Sequence, residues 1–87
     1  MSMARVLMYS TRVCPYCRMA DKLLERKGAQ AEKVMVDENP ARREEMVRLT
    51  GRSTVPQIFI GDTHVGGYTD LADLDRKGAL DTLLARP

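Results

Sequence analysis

The only two cysteines of this 87-residue chain, Cys14 and Cys17, are separated by Pro15 and Tyr16. At the start of a helix, residues three apart lie on one face, and their spacing of roughly 5–6 Å suits a disulfide. The pair can therefore open and close with little movement of the backbone. We interpret it as a reversible redox pair, which is the usual role of this spacing near a strand-helix-strand pattern.

Three other roles of these cysteines fit the sequence less well. A structural disulfide would close a very short loop and would constrain little of the unfolded chain. A zinc site needs four ligands, and the only other usual soft or imidazole ligand is His64. Two unrelated core cysteines would explain neither the spacing nor the intervening proline.

The residues around the cysteines predict different roles for the two thiols. Pro15 suits the first position of a helix, which makes Cys14 the N-cap. Unpaired N–H groups and the helix dipole favour a thiolate there, and Arg12 and Arg18 are close enough in sequence to add positive charge. We expect Cys14 to be the nucleophile, with a lowered pKa, and Cys17, nearer the core, to be the resolving thiol.

Length and charge exclude several kinds of protein. Eighty-seven residues predict one domain, residues 1–87. The 14 basic and 12 acidic residues are interleaved, so no nucleic-acid partner is expected. The N-terminal stretch is too short and too soon interrupted for a secretory signal or a membrane span, so no membrane partner is expected. We expect a cytoplasmic protein, since a C-x-x-C pair in a reducing compartment is catalytic rather than structural.

Apolar patterning predicts the order βαβαββα, with a possible extra helix at the C-terminus. Residues 6–9 form a continuous apolar run typical of a buried strand, and the helix that carries the cysteines should end at Gly28. Residues 32–37 alternate in polarity, which predicts a strand at a sheet edge, parallel to the first. Asn39 and Pro40 predict the N-cap and the first residue of a second helix.

The second half of the chain predicts a hairpin followed by a helix. Residues 56–60 and 63–65 are strand-like stretches joined by a two-residue turn, so they should be antiparallel. After a Gly-Gly pair, Thr69 or Asp70 is expected to cap a third helix. Together these elements predict an α/β fold with a four-stranded mixed sheet flanked by helices.

Three motifs follow one another along the chain: Cys-Pro-Tyr-Cys at 14–17, Thr-Val-Pro-Gln-Ile-Phe-Ile at 54–60, and Gly66-Gly67 followed by Asp70. Over nearly its whole length the chain resembles the dithiol glutaredoxins of the thioredoxin superfamily. The resemblance implies a thioredoxin-like fold and an enzyme that reduces disulfides with electrons from glutathione. It also implies a monomer that binds no cofactor, whose partners are glutathione, glutathionylated proteins and disulfide-containing proteins.

The resemblance also implies where glutathione binds. Pro56 should follow a cis bond, and the glutathione backbone should pair with the backbone of Val55. Tyr16 and Thr54 are implied to lie beside the same tripeptide.

At the γ-glutamyl end of glutathione, the implied binding residues are Gly67, Thr69 and Asp70. The N–H groups of Thr69 and Asp70 would bind the carboxylate, and the Asp70 side chain would bind the ammonium group. Asp70 is equally well explained as a plain N-cap, and both roles can hold at once.

The sequence departs from the family pattern at the glycine end. Many glutaredoxins have a lysine where this chain has Thr11, and that lysine helps to bind the glycine carboxylate. Arg12 or Arg52 could replace its charge, although an arginine is usually a surface residue. His64 is interpreted as a surface residue of a hairpin strand rather than an acid-base group.

Two reactions follow from this interpretation. Cys14 alone suffices for glutathione mixed disulfides, whereas protein disulfides also need Cys17. Two alternatives are an iron–sulfur carrier, sharing a cluster between two chains through Cys14 and glutathione, and a redoxin reduced by thioredoxin reductase. Pro15 and Cys17 argue against the first, and the Gly-Gly pair followed by Asp70 argues against the second.

Overall fold

A computed structural model describes residues 4–86, so residues 1–3, part of the N-terminal stretch interpreted above, and residue 87 lie outside it. Within this range, four strands and four helices follow the predicted order and include the extra C-terminal helix: β1 Val6–Ser10, α1 Pro15–Arg26, β2 Ala31–Met35, α2 Pro40–Thr50, β3 Gln57–Ile60, β4 Thr63–Gly66, α3 Tyr68–Arg76 and α4 Ala79–Leu84. None of the helices between residues 4 and 86 is long and apolar enough to cross a membrane.

The sheet is mixed, with the strand order β2-β1-β3-β4. β1 pairs parallel with β2 and antiparallel with β3, and β3 pairs antiparallel with β4. The predicted edge position of β2 is therefore confirmed, although the strand spans Ala31–Met35 rather than residues 32–37. Val36 still donates its backbone N–H to Ser10 at 2.9 Å, so pairing continues to the point where β1 ends and the cysteine loop begins.

Side chains of β1 alternate between two layers of the core. Val6 and Met8 pack in the cluster that contains both cysteines and residues of α1, α3 and α4. Tyr9 packs in a second cluster, with Met46 of α2. Because successive strand residues point to opposite faces, helices cover the sheet on both sides, and this explains the continuous apolar run in the sequence.

The start of the second helix agrees with the sequence, whereas that of the third does not. Asn39 caps α2, with its side-chain oxygen accepting the N–H of Ala41 at 3.1 Å. The N-cap of α3 is Gly67, so the prediction of Thr69 or Asp70 at this position was wrong. Glycine has no capping oxygen, and Asp70 supplies one from three residues further on, accepting the Gly67 N–H at 3.0 Å.

Tyr9 also links β1 to α2 through a hydrogen bond. Its hydroxyl donates to the Glu45 carboxylate at 2.6 Å, and Glu45 is paired with Arg42 at 2.9 Å. Burial, and then the hydrogen bond to Glu45, raises the pKa of Tyr9 to about 12. The fold therefore favours the neutral phenol, so this stabilisation is complete below the unfolded tyrosine value of about 10 and is lost as pH rises towards 12.

We expect the free energy of unfolding to fall between pH 10 and pH 12, with Tyr9 contributing about 2 kcal/mol of the fall. Urea titrations across this range would measure it, with Tyr9→Phe as the comparison because other groups also titrate there. The variant should show a shallower decline. A Tyr9→Phe curve as steep as that of the wild type would contradict this account of Tyr9.

Candidate active site

Cys14 and Cys17 are joined by a disulfide, with their Cα atoms 5.2 Å apart. Cys14 is the N-cap of α1 and Pro15 is the first helical residue, as the sequence predicts. The Cys14 sulfur accepts a hydrogen bond from the backbone N–H of Cys17 at 3.2 Å. The sulfur thus occupies the helix end at which a thiolate is stabilised, as a nucleophile requires.

The two cysteines differ less in depth than the sequence suggests. Cys14 is 7% exposed and Cys17 is 3% exposed, and both belong to the core cluster on the α1 side of the sheet. Three apolar side chains close to them in the chain are exposed, namely Val13, Tyr16 and Met19. The surface near the cysteine motif is therefore partly apolar.

Arg12 is turned towards acidic side chains. Its Nε lies 3.5 Å from a carboxylate oxygen of Asp37 and 3.5 Å from one of Glu38. Its backbone N–H donates to Asp37 at 3.2 Å, and this hydrogen bond is the main cause of the lowered pKa of Asp37. Much of the positive charge of Arg12 is therefore compensated, and it adds less to the field at Cys14 than the sequence suggests.

A groove of about 240 Å³ begins beside the cysteine motif and ends at the N-terminus of α3. Eight of the residues that the resemblance implies for glutathione binding line it: Tyr16, Arg52, Thr54, Val55, Pro56, Gly67, Thr69 and Asp70. Arg12 lines a separate cavity of about 140 Å³, together with both cysteines, Thr11, Arg18 and Lys33. The structure therefore brings together all the candidate residues for glutathione binding except Arg12.

The middle of the groove is formed by the residues around Pro56. The bond between Val55 and Pro56 is cis, as the resemblance implies. Val55 lies before the first residue of β3, and within residues 4–86 its backbone forms no hydrogen bond to another backbone group. Its N–H and C=O groups are therefore available to an extended peptide.

Asp70 organises the far end of the groove. One carboxylate oxygen accepts the N–H of Gly67 at 3.0 Å and lies 3.2 Å from Nη1 of Arg52. The hydrogen bond from Gly67, and then the contacts with Arg52, lower the pKa of Asp70. Thr69 and Asp70 are the second and third residues of α3, so their N–H groups have no partner within the helix.

Gly66 leaves room for this arrangement. Its φ of +114° lies in the left-handed range, and a Cβ atom there would collide with the Asp70 carboxylate and lie 3.1 Å from Nη1 of Arg52. The glycine is therefore required both by the backbone and by the close approach of Asp70.

A cysteine pair at the start of a helix, beside a groove that ends at the N-terminus of another helix, agrees with the comparisons to known proteins. The family model for glutaredoxin matches residues 6–65. The chain belongs to the glutaredoxin family. Over 82 residues it is 50% identical to Glutaredoxin 3 of Escherichia coli strain K12, a match that covers 94% of this chain and 99% of that protein.

Solved glutaredoxin structures share the fold as well. The solution structure of glutaredoxin from Brucella melitensis superposes with a TM-score of 0.85 at 47% identity, covering 98% of this chain and 92% of that one. A buckwheat glutaredoxin crystallised with glutathione gives a TM-score of 0.86 at 30% identity, covering 93% and 76%. The predicted thioredoxin-like fold is confirmed, and the protein is a thiol–disulfide oxidoreductase of a family that uses glutathione.

Two residues that line the groove of this glutaredoxin are missing from the sequence prediction. Tyr68 lies with its ring centroid 6.4 Å from that of Tyr16, and Gln57 is almost fully buried at the start of β3. The sequence does contain a signal for Gln57, because a polar residue at the start of an otherwise apolar strand is unusual. His64 also differs from its prediction as a surface residue, because it is half-buried and its ring nitrogen lies 2.8 Å from the Gln57 oxygen.

Proposed function

We propose that this glutaredoxin uses glutathione to reduce glutathionylated proteins and protein disulfides. The observation that carries the proposal is the groove between the cysteine motif and the start of α3. Its middle offers the Val55 backbone to an extended peptide, and its end offers unpaired N–H groups to a carboxylate. A tripeptide with a free α-carboxylate and a cysteine in its middle fits both features.

The reaction with a glutathione mixed disulfide needs only Cys14. Its thiolate attacks the glutathione sulfur, so that a Cys14–glutathione disulfide forms and the target leaves as a thiolate. A second glutathione thiolate then attacks the glutathione sulfur on Cys14. Oxidised glutathione is released and the Cys14 thiolate is restored, so that one free glutathione thiol is consumed for each target thiol released.

Reduction of a protein disulfide uses both cysteines. Cys14 forms a mixed disulfide with the target, and the Cys17 thiolate attacks the Cys14 sulfur to release the second target thiol. This leaves the Cys14–Cys17 disulfide, which two glutathione molecules then reduce. The 5.2 Å separation of the Cα atoms allows this bond to form without rearrangement of α1.

Arg52 fits the γ-glutamyl end of glutathione better than the glycine end. The sequence suggests Arg12 or Arg52 as a substitute for the lysine absent at Thr11, but Arg12 faces Asp37 and Glu38, outside the groove. Arg52 is held beside Asp70 at the start of α3. We therefore assign Arg52 to the carboxylate of the γ-glutamyl group and Asp70 to its ammonium group.

The direct test follows NADPH consumption with glutathione, glutathione reductase and the mixed disulfide of glutathione and cysteine. We expect turnover that depends on both the enzyme and glutathione, because electrons reach the dithiol through the tripeptide. A parallel assay with thioredoxin reductase in place of glutathione and its reductase should give no turnover. A rate no higher than the uncatalysed background in the first assay would contradict the proposal.

The two alternatives are not favoured by the family comparisons. A carrier of an iron–sulfur cluster would give visible absorbance in freshly purified protein, which the proposal does not expect. We also propose that the protein is cytoplasmic and monomeric. Light scattering would measure its oligomeric state.

A further inference from the structure

Gln57 is a buried amide at the head of β3, directly after Pro56 and opposite Tyr9 in the neighbouring strand. Only 1% of its surface is exposed, so its amide must find partners within the protein. Its Nε2 donates to the backbone oxygen of Thr54 at 3.0 Å and lies 3.3 Å from the Thr54 hydroxyl. Its Oε1 lies 2.8 Å from Nε2 of His64.

These contacts fix the orientation of both side chains. The backbone oxygen of Thr54 is only an acceptor, so the amide NH₂ of Gln57 must face it. The amide oxygen then faces His64, whose Nε2 must carry a proton in order to donate. Without that donor, the buried amide oxygen would have no partner, and Gln57 would hold Thr54 less firmly. His64 therefore secures the contact of Gln57 with the loop.

The surroundings of His64 keep it in place as a neutral donor. Its ring stacks on Phe59, with the ring centroids 5.0 Å apart. Burial, and then the nearby charge of Arg52, lowers the pKa of His64, while Asp70 acts in the opposite direction. These surroundings therefore favour the neutral imidazole, which donates through one nitrogen.

We infer that Gln57 and His64 are positioning residues that hold residues 54–56 in the conformation that accepts glutathione. The inference deepens the proposed function and rests on it, because Val55 is the residue whose backbone would pair with the tripeptide. Neither side chain reaches the sulfur chemistry. They act by fixing the loop before β3 from the far side of the hairpin, through Thr54.

The test compares Gln57→Met, His64→Phe and the double variant, with Gln30→Met as a matched change at an exposed glutamine. Binding of S-methylglutathione, which has no free thiol, would be measured by calorimetry, and KM and kcat by the coupled assay. We expect the Kd and KM to rise about fivefold to tenfold in each single variant, with kcat changed less than about twofold. The Kd and KM of the double variant should rise no more than those of the more affected single variant, because both changes break the same chain of hydrogen bonds from His64 through Gln57 to Thr54. Gln30→Met should match the wild type.

Thermal unfolding and amide NMR spectra distinguish positioning from a purely structural role. A structural role alone would lower the Tm and leave KM, Kd and the Val55 amide signal unchanged, and that result would overturn the inference. We expect instead a shifted Val55 signal with the signals of α1 preserved. If the wild type lacked glutathione-dependent turnover, the proposed function would be wrong. The amide NMR signal of Val55 in the variants would still show whether Gln57 and His64 hold residues 54–56 in place.

Discussion

Replacement of Cys14 by serine is expected to reduce the rates with both glutathione mixed disulfides and protein disulfides to the uncatalysed background. A serine hydroxyl at neutral pH is neither ionised nor able to enter thiol–disulfide exchange. The serine oxygen can still accept a hydrogen bond at the N-cap of α1, so the fold should persist. Far-ultraviolet circular dichroism and the coupled assay would measure the two effects separately.

Cys17→Ser is the matched comparison and should have the opposite selectivity. It leaves the N-cap sulfur and the groove unchanged, so turnover of the glutathione–cysteine mixed disulfide should persist. Reduction of a protein disulfide that needs intramolecular resolution should fall below about one-tenth of the wild-type rate. Loss of mixed-disulfide turnover in both variants would mean that the reaction uses both cysteines throughout. Loss in Cys17→Ser alone would reverse their roles.

Gly66→Ala is expected to damage the end of the groove proposed to bind the γ-glutamyl group, and more so than the same change at the neighbouring Gly67. The new Cβ would lie 2.9 Å from the carboxylate carbon of Asp70, which must then move away from the Gly67 N–H. We expect KM for the mixed disulfide to rise about tenfold, with a loss of about 2–4 kcal/mol in the free energy of unfolding. Urea titrations and the coupled assay would measure these effects.

Gly78→Ala provides the control for backbone strain. Gly78 has a φ of +76°, but a Cβ atom there would meet no other atom within 4 Å. This variant should lose only the conformational term, about 1–2 kcal/mol, and should keep the wild-type KM. If Gly66→Ala also kept the wild-type KM, the close approach of Asp70 to Gly66 would have no role in binding.

Signals contained in a few consecutive residues account for what the sequence predicts well. A capping residue followed by proline marks the starts of α1 and α2, and a two-residue turn marks the β3–β4 hairpin. The continuous apolar run of β1 indicates a strand covered on both faces. The groove residues were found through the motifs of the family, since nothing within residues 54–70 alone describes a groove.

The features that the sequence did not predict depend on contacts between distant residues. The pairing of Arg12 with Asp37 joins residues 25 positions apart, and that of Arg52 with Asp70 joins residues 18 apart. Periodicity carries no information about such pairs. The start of α3 was misplaced because its capping oxygen comes from inside the helix, at Asp70, and reaches back to a glycine that has no side chain.

Because the Cys17 N–H donates a hydrogen bond to the Cys14 sulfur, the proposed reaction involves the first turn of α1 in each cycle. A negatively charged sulfur accepts this bond more strongly than a thiol or a disulfide sulfur does. The helix should therefore be held most firmly when the nucleophile is ready, and more loosely when the sulfur is bonded to a substrate. By thermodynamic linkage, a substrate bonded to Cys14 in the proposed reaction would weaken the helix end that stabilises the Cys14 thiolate, which favours release.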